Sequence, residues 1–226
     1  LSCAWNAGAL VVAGAESVIL FVHGLWMHGV VFSAHRRRLR AMGRASRVFS
    51  WHSLLGSLDG AADDLAAHIA TLGHRPLHLV GHSLGGCLVL NMLARHHPEG
   101  IGRTVLLGSP CCGSFAGERI LRVPVLRGAL GRVLPQWLAR PLPEVPPGYE
   151  IGVVAGNRPV GIGRIVPGME KPNDGMVTVA ETRWPGARDH TVLPVTHMQM
   201  LWSRACLIQT LHFLDTGRFL RGGVRA

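Results

Sequence analysis

Lysine is almost absent from this sequence, although the chain is strongly basic. Lys171 is the only lysine among 23 basic residues, and the formal net charge at pH 7 is +10. The arginines form two groups that contain no acidic residue, one from Arg36 to Arg47 and one from Arg119 to Arg140. No nucleic-acid-binding motif accompanies either group. We therefore interpret both as solvated basic faces and expect no nucleic-acid partner.

A membrane-spanning run is also missing. Residues 17–34 contain no Asp, Glu, Lys or Arg, but histidines and glycines interrupt them. The continuous apolar part, Val18–Val22, has the length of a β-strand and is far shorter than the roughly 20 residues that a membrane helix needs. No basic region precedes the N-terminal apolar residues, so we expect no cleaved signal peptide.

The cysteines are few and provide neither a disulfide framework nor a zinc motif. There are five, an odd number, and none of the spacings matches a metal site. Cys111 and Cys112 are adjacent, which disfavours a bridge between them, while Cys87 and Cys206 fall in predicted helices as small core residues. We therefore expect no disulfide, no metal and a reducing, cytoplasmic location.

The 226 residues are most simply one domain, 1–226, in which strands alternate with helices and no segment repeats. The predicted strands are Val18–Val22, Arg47–Trp51, Leu77–Val80, Thr104–Leu107, Ile151–Ala155 and Val192–Val195. The predicted helices are Val31–Met42 with Phe32, Leu39 and Met42 inward, one from the cap Asp59 to Gly73, Leu88–Arg95, and Leu201–Leu214. This alternation predicts an α/β fold, a mainly parallel sheet with helices on both faces.

Residues 111–149 break the alternation, because they contain no clear strand and six of the 14 prolines. Their apolar residues follow one helical stripe, which Pro135 must kink or split: Leu126, Leu130, Val133, Leu134, Trp137 and Leu138. An insertion here would lie over the carboxyl ends of the strands, where ligands bind in open α/β sheets. It is either a short cap over an acyl-binding cleft, whose arginines could contact an anionic membrane, or an ordinary surface excursion.

The most informative motif is G-x-S-x-G at Gly81–Gly85, between an apolar strand and a helix. A serine hydroxyl is a poor nucleophile unless it is exposed beside a base. A sharp strand-to-helix turn exposes it, and only small residues fit two positions on either side. The helix that begins here also directs its N–H groups at negative charge developing beside Ser83. We therefore predict Ser83 as a nucleophile.

A serine nucleophile needs a histidine base, and position selects one of the 13 histidines. His197 follows the last predicted strand, where the base is expected. His190 precedes that strand, and His212 lies inside the final helix. His82 is adjacent to Ser83 but faces away from it on the tight turn.

The base in turn needs an acid that orients it. Asp174 lies in the turn sequence Pro-Asn-Asp-Gly, after the strand Ile151–Ala155, whereas its main rival, Asp189, begins the last strand. The resulting chain order of Ser83, Asp174 and His197 is the order expected of α/β-hydrolases.

At four places the sequence resembles an α/β-hydrolase of the compact lipase and serine-esterase type. These are Val22–Leu25, Gly81–Gly85, Gly108–Ser114 with its Gly-Ser-Pro and Gly-Ser elements, and Asn173–Val177 with His197 downstream. The resemblance implies the α/β-hydrolase fold and an oxyanion hole formed by the backbone N–H groups of Leu25 and Leu84. It also implies that His23 shapes a loop. Bulky Trp26 and Met27 after Leu25, and Cys111-Cys112 between the Gly-Ser elements, depart from the pattern and leave the pocket shape open.

The triad and the resemblance together predict a serine carboxylic-ester hydrolase. It would cleave a small-molecule or lipid ester through an acyl-enzyme, as a carboxylesterase or lipase, without a cofactor. The same triad could serve a thioesterase or acyltransferase. A non-catalytic lipid- or membrane-binding domain of this fold is the alternative from another class. Dehalogenases and epoxide hydrolases of this fold place Asp at the elbow, where this chain has Ser83.

Overall fold

A six-stranded parallel sheet forms the centre of the protein, whose computed structural model describes residues 17–73, 76–123, 128–161 and 168–221. Its order is β2-β1-β3-β4-β5-β6. The strands are β1 Val18–Val22, β2 Ala45–Phe49, β3 Leu77–His82, β4 Ile101–Leu107, β5 Ile151–Gly156 and β6 Asp189–Leu193. Every residue of β3 and of β5 is buried, as expected for parallel strands covered on both faces.

Helices cover both faces of this sheet. They are α1 Ser33–Ala41, α2 Leu58–Thr71, α3 Leu84–His96, α4 Phe115–Leu121, α5 Val133–Leu138 and α6 Arg204–Thr216, with 3-10 turns at Gly29–Phe32, Gly128–Leu130 and Met198–Leu201. Alternate residues of a strand point to opposite faces, so β1 supplies Leu20 and Val22 to one apolar cluster and Ile19 and Phe21 to the other. Residues of α2, α3 and α5 complete the first cluster, and residues of α1 and α6 complete the second. The predicted fold class is confirmed.

Several predicted boundaries need correction. The last strand is Asp189–Leu193 and begins three residues earlier than predicted. The prediction missed this start because Asp189 and His190 are polar and do not continue the apolar run. Ser57 is the N-cap of α2, with Oγ accepting from Gly60 N at 3.0 Å, while Asp59 lies inside the first turn. Met42, predicted inward, follows α1 and is exposed.

The insertion at 111–149 packs onto the core. Leu130, Val133, Leu134 and Trp137 of the predicted stripe are buried, and Leu138 is partly buried. Leu126 lies outside the described residues. Pro135 falls in the first turn of α5, where its missing N–H leaves no hydrogen bond unmade, so the predicted single helix is divided into a 3-10 turn and a short helix.

None of the helices within the described ranges combines the length and the apolar character needed to cross a bilayer.

Candidate active site

The Gly81–Gly85 motif forms a sharp turn between β3 and α3. Ser83 occupies this turn with φ 54° and ψ −128°, a left-handed backbone conformation that is strained for a residue with a side chain. A Cβ on Gly81 would lie 2.5 Å from Gly86 Cα, and one on Gly85 would lie 2.3 Å from Val22 O. These separations explain why both flanking positions are glycine.

The loop after β1 passes directly beside the serine. A Cβ on Gly24 would lie 2.9 Å from Ser83 Cβ, so the backbone that leads to Leu25 contacts the turn. Leu84 is the first residue of α3, where an N–H has no partner within the helix. Among the described residues, neither the Leu25 nor the Leu84 amide donates to a protein group. The Leu84 amide thus follows Ser83 on the turn, and the Leu25 amide follows the glycine that contacts the turn.

Asp174 and His197 are joined at two points. His197 Nδ1 lies 2.8 Å from Asp174 Oδ2, and the His197 backbone N–H donates to Asp174 O at 2.9 Å. Both side chains are buried, at 0% exposure for Asp174 and 3% for His197. The second carboxylate oxygen, Oδ1, accepts from the N–H groups of Met176 at 2.9 Å and Val177 at 2.8 Å. The carboxylate is thus held in one orientation.

Within the described residues, no direct hydrogen bond joins the Ser83 hydroxyl to the His197 ring. Nucleophile–base hydrogen bonds are often long in the absence of substrate. His82, the residue before Ser83 in the chain, contacts His197 instead. Its Nε2 lies 3.1 Å from His197 O, and its ring centroid is 4.7 Å from that of His197.

The rival candidates lie elsewhere. Asp189 is at the start of β6, at the amino ends of the parallel strands, whereas Ser83 follows the carboxyl end of β3. Its Oδ2 accepts from Phe219 N at 2.8 Å. His190 Nε2 bonds the Thr182 hydroxyl at 2.9 Å, and His212 is on α6. In the part of the chain that the structure describes, the side-chain hydrogen bonds of these three residues do not involve the Ser83 turn.

His23 shapes the loop after β1. Its Nδ1 donates to Gly24 O at 2.9 Å, and its Nε2 accepts from Trp51 N at 3.2 Å. Burial lowers the pKa of His23, an effect that the hydrogen bond to Gly24 opposes. A neutral ring that donates with one nitrogen and accepts with the other fits this role.

Glu181 is a site-supporting residue that sequence reasoning missed. Its Oε2 accepts from Thr178 N at 2.6 Å, and Glu181 N donates to Thr178 Oγ1 at 3.1 Å. This reciprocal pair is a capping box, and the Thr-x-x-Glu spacing was a signal that could have revealed it. The other carboxylate oxygen accepts from Phe115 N, at the start of α4. Glu181 therefore ties the segment after Asp174 to the insertion.

The described cysteines, Cys87, Cys111, Cys112 and Cys206, are free thiols. Across the described part of the chain, no cluster of three or more His, Cys, Asp or Glu side chains is arranged to hold a metal ion.

Comparison with known proteins gives consistent matches. The profile of the alpha/beta hydrolase family matches residues 19–215. A non-heme haloperoxidase from Rhodococcus erythropolis is 37% identical over 94 residues, which are 42% of this chain and only 31% of that protein's length.

Solved structures with a similar fold include lipases and esterases. The mature form of Bacillus licheniformis lipase BlEst2 has a TM-score of 0.73 at 21% identity, covering 90% of this chain and 92% of that one. The metagenomic carboxyl esterase MGS0156 has a TM-score of 0.65 at 18% identity, covering 81% and 65% respectively. At these identities the likeness establishes a shared fold.

Proposed function

Because the chain belongs to the alpha/beta hydrolase family, we propose that it is a serine hydrolase that cleaves carboxylic esters through an acyl-enzyme. Ser83 is the nucleophile, His197 the base and Asp174 the acid that orients the base. The observation that carries this proposal is the buried His197–Asp174 pair, joined through both side chain and backbone, at the carboxyl edge of the sheet where Ser83 stands on its strained turn.

In the acylation step, His197 Nε2 removes the hydroxyl proton as Ser83 Oγ attacks the ester carbonyl. The negative charge that develops on the carbonyl oxygen is stabilised by the backbone N–H groups of Leu25 and Leu84, at the positive end of α3. His197 then protonates the departing alcohol, and the acyl group remains on Ser83.

In the deacylation step, His197 removes a proton from water, which attacks the acyl-enzyme at the same carbonyl carbon. The proton returns to Ser83 Oγ as the carboxylic acid leaves. Throughout both steps Asp174 accepts a hydrogen bond from the Nδ1–H of His197, which keeps Nε2 free to act as base and stabilises the imidazolium that forms.

The apolar rim of the site supports an ester with an apolar acyl group. Trp26, Leu55, Val160 and Met198 are all exposed, and each lies in a segment that follows the carboxyl end of a strand. Exposed apolar side chains beside a site favour apolar ligands. A panel of p-nitrophenyl esters from acetyl to palmitoyl measures the acyl preference, and thioester and alcohol-acceptor assays distinguish the thioesterase and acyltransferase alternatives.

The decisive experiment replaces Ser83 with Ala. We expect loss of both ester turnover and covalent labelling by a fluorophosphonate, while Ser46→Ala, on the edge strand β2, retains both. Labelling or turnover that survives in Ser83→Ala rejects Ser83 as the nucleophile. Labelling of neither the wild type nor Ser46→Ala supports the non-catalytic alternative.

An anionic membrane surface is the proposed partner, and the basic face that supports it is on α1 and α6. Burial lowers the pKa of Arg38, and the nearby cations of Arg204 and Arg37 lower it further. Within the described residues, these three arginines form no salt bridge. Arg38 donates to the carbonyl of Trp202, whose side chain is 47% exposed. Unneutralised arginine beside exposed tryptophan fits an anionic bilayer interface.

A further inference from the structure

Two histidines outside the proposed triad lie beneath the loop that carries His197. His82 is the last residue of β3 and is 0% exposed, and His35 is on α1 and is 1% exposed. The mechanism assigns neither of them a role.

Both imidazoles bond the backbone of the same loop. His82 Nε2 lies 3.1 Å from His197 O, and His35 Nε2 lies 2.8 Å from Met200 O. A carbonyl oxygen can only accept, so each Nε2 must carry a proton. The Nδ1 atom of each ring is buried and has no hydrogen-bond partner among the described residues. Each ring therefore presents a single donor, aimed at the loop.

The surroundings keep both rings neutral. Burial, opposed by the hydrogen bond to Met200 O and assisted by the Arg38 guanidinium, lowers the pKa of His35 to about 4. Burial also lowers the pKa of His82 well below its ordinary value, and the neighbouring histidines His197, His35 and His23 act in the same direction. A neutral ring can donate from Nε2 without placing a charge beside His197 when that residue becomes protonated.

The loop needs such support because it follows β6 as turns and a 3-10 segment. The His197 N–H is bonded to Asp174 O, and His82 bonds the carbonyl of the same residue. His35 holds the backbone three residues further on. The base is thus fixed from the Asp174 side, from β3 and from α1.

We propose that His82 and His35 are positioning residues, whose Nε2–H donors fix the loop backbone so that the His197 ring keeps its orientation toward Ser83 and Asp174. This inference rests on the proposed function, because it treats His197 as the base. A displacement of about 1 Å in a reacting group can reduce a rate about 100-fold, so loss of these donors reduces kcat more than it alters KM.

Paired substitutions separate the hydrogen bond from packing. His82→Gln and His35→Gln keep an N–H donor at about the reach of Nε2, whereas His82→Leu and His35→Leu remove it. We expect kcat to fall about 10- to 100-fold in the Leu variants, with KM nearly unchanged, and to recover substantially in the Gln variants. The matched control is His68→Leu, a histidine on α2 that packs against Phe49.

Rescue by Gln provides a readout that packing does not explain, because Gln restores the donor without restoring the imidazole ring. Unchanged kcat in folded Leu variants rejects the proposal. So does activity that is kept by Leu and lost by Gln. If His82→Leu does not fold, the His35 pair decides.

Ring NMR distinguishes failure of this inference from failure of the proposed function. Long-range ¹H–¹⁵N spectra of the wild type are expected to show both rings protonated on Nε2 alone from about pH 6 to about pH 8. A wild type without turnover or labelling overturns the proposed function, while these spectra still test the two hydrogen bonds. Protonation on Nδ1, or titration of both rings in this range, overturns the inference.

Discussion

Asp174 holds His197 twice, through its carboxylate at 2.8 Å from the ring Nδ1 and through its backbone carbonyl at 2.9 Å from the His197 N–H. The two contacts fix both the position and the rotation of the imidazole. An acidic residue that also anchors the backbone of its partner is more than a counter-ion, because its main chain remains in place when the side chain is changed.

Replacement of Asp174 by Asn tests the side-chain part of this arrangement. We expect kcat to fall about 10³- to 10⁴-fold with the fold retained. The Asn side chain can turn its NH2 group, a donor, toward Nδ1 and so favour the wrong tautomer of His197, while the backbone hydrogen bond persists. Asp189→Asn is the matched control and should change kcat less than about threefold, since Asp189 lies at the amino ends of the strands, away from Ser83. The reverse pattern would transfer the orienting role to Asp189.

Gly24→Ala tests the contact between the loop after β1 and the nucleophile. The added methyl group would lie 2.9 Å from Ser83 Cβ, so one of the two segments must move. We expect kcat to fall about 100-fold, since displacement of an oxyanion-hole donor costs that much. The control, Gly128→Ala, adds a methyl group to open space and should leave kcat unchanged. Wild-type kcat in Gly24→Ala would argue against this loop as part of the site.

Trp137→Ala tests the role of the insertion. Trp137 is 6% exposed, belongs to the core cluster that includes α2 and α3, and donates its indole N–H to Pro110 O at 3.0 Å. We expect a loss of about 3 to 5 kcal/mol in the free energy of unfolding, measured by urea denaturation, with acyl-chain preference unchanged. The exposed Leu142 provides the control, with little expected effect of Leu142→Ala. A selective loss of long-chain ester turnover in Trp137→Ala would support the cap instead.

Glu181→Gln tests the capping box. Both carboxylate oxygens accept backbone N–H groups, and an amide can replace only one of them, so we expect a loss of about 1 to 3 kcal/mol in the free energy of unfolding at pH 7.

Burial raises the pKa of Glu181 above its ordinary value, so the folded state binds the proton more tightly than the unfolded state. Stability from this group is therefore present below the unfolded pKa and is lost as pH rises through the folded pKa. The difference in unfolding free energy between wild type and variant should shrink as pH rises through that range, and a constant difference would contradict the assignment.

Vesicle binding tests the basic face of α1 and α6. We expect the wild type to sediment with vesicles that contain phosphatidylserine, in a salt-sensitive manner, and not with neutral phosphatidylcholine vesicles. Arg37→Glu combined with Arg204→Glu should abolish binding without changing turnover of a soluble ester. Arg122→Glu, on the insertion, is the control and should still bind. If Arg122→Glu alone loses binding, the insertion is the contact face, and equal binding of a soluble polyanion would indicate a general polyanion site.

Local sequence patterns predicted most of the strands, the Gly81–Gly85 turn and the three proposed triad positions, because each depends on a short run of residue types. The start of the last strand was wrong because Asp189 and His190 are polar where a buried strand was expected to be apolar. The hydrogen bonds from His82 and His35 to the His197 loop join residues 115 and 165 positions apart, and no local pattern encodes them.

The left-handed backbone of Ser83 sets thermal stability against reactivity at a single position. A left-handed residue with a side chain costs about 1 to 3 kcal/mol, and glycine adopts φ 54° without that cost. Selection of variants for heat resistance alone would therefore favour glycine at the position that the proposed chemistry needs most. If serine is retained at this position while heat resistance is selected, the function of its hydroxyl group must be under selection as well.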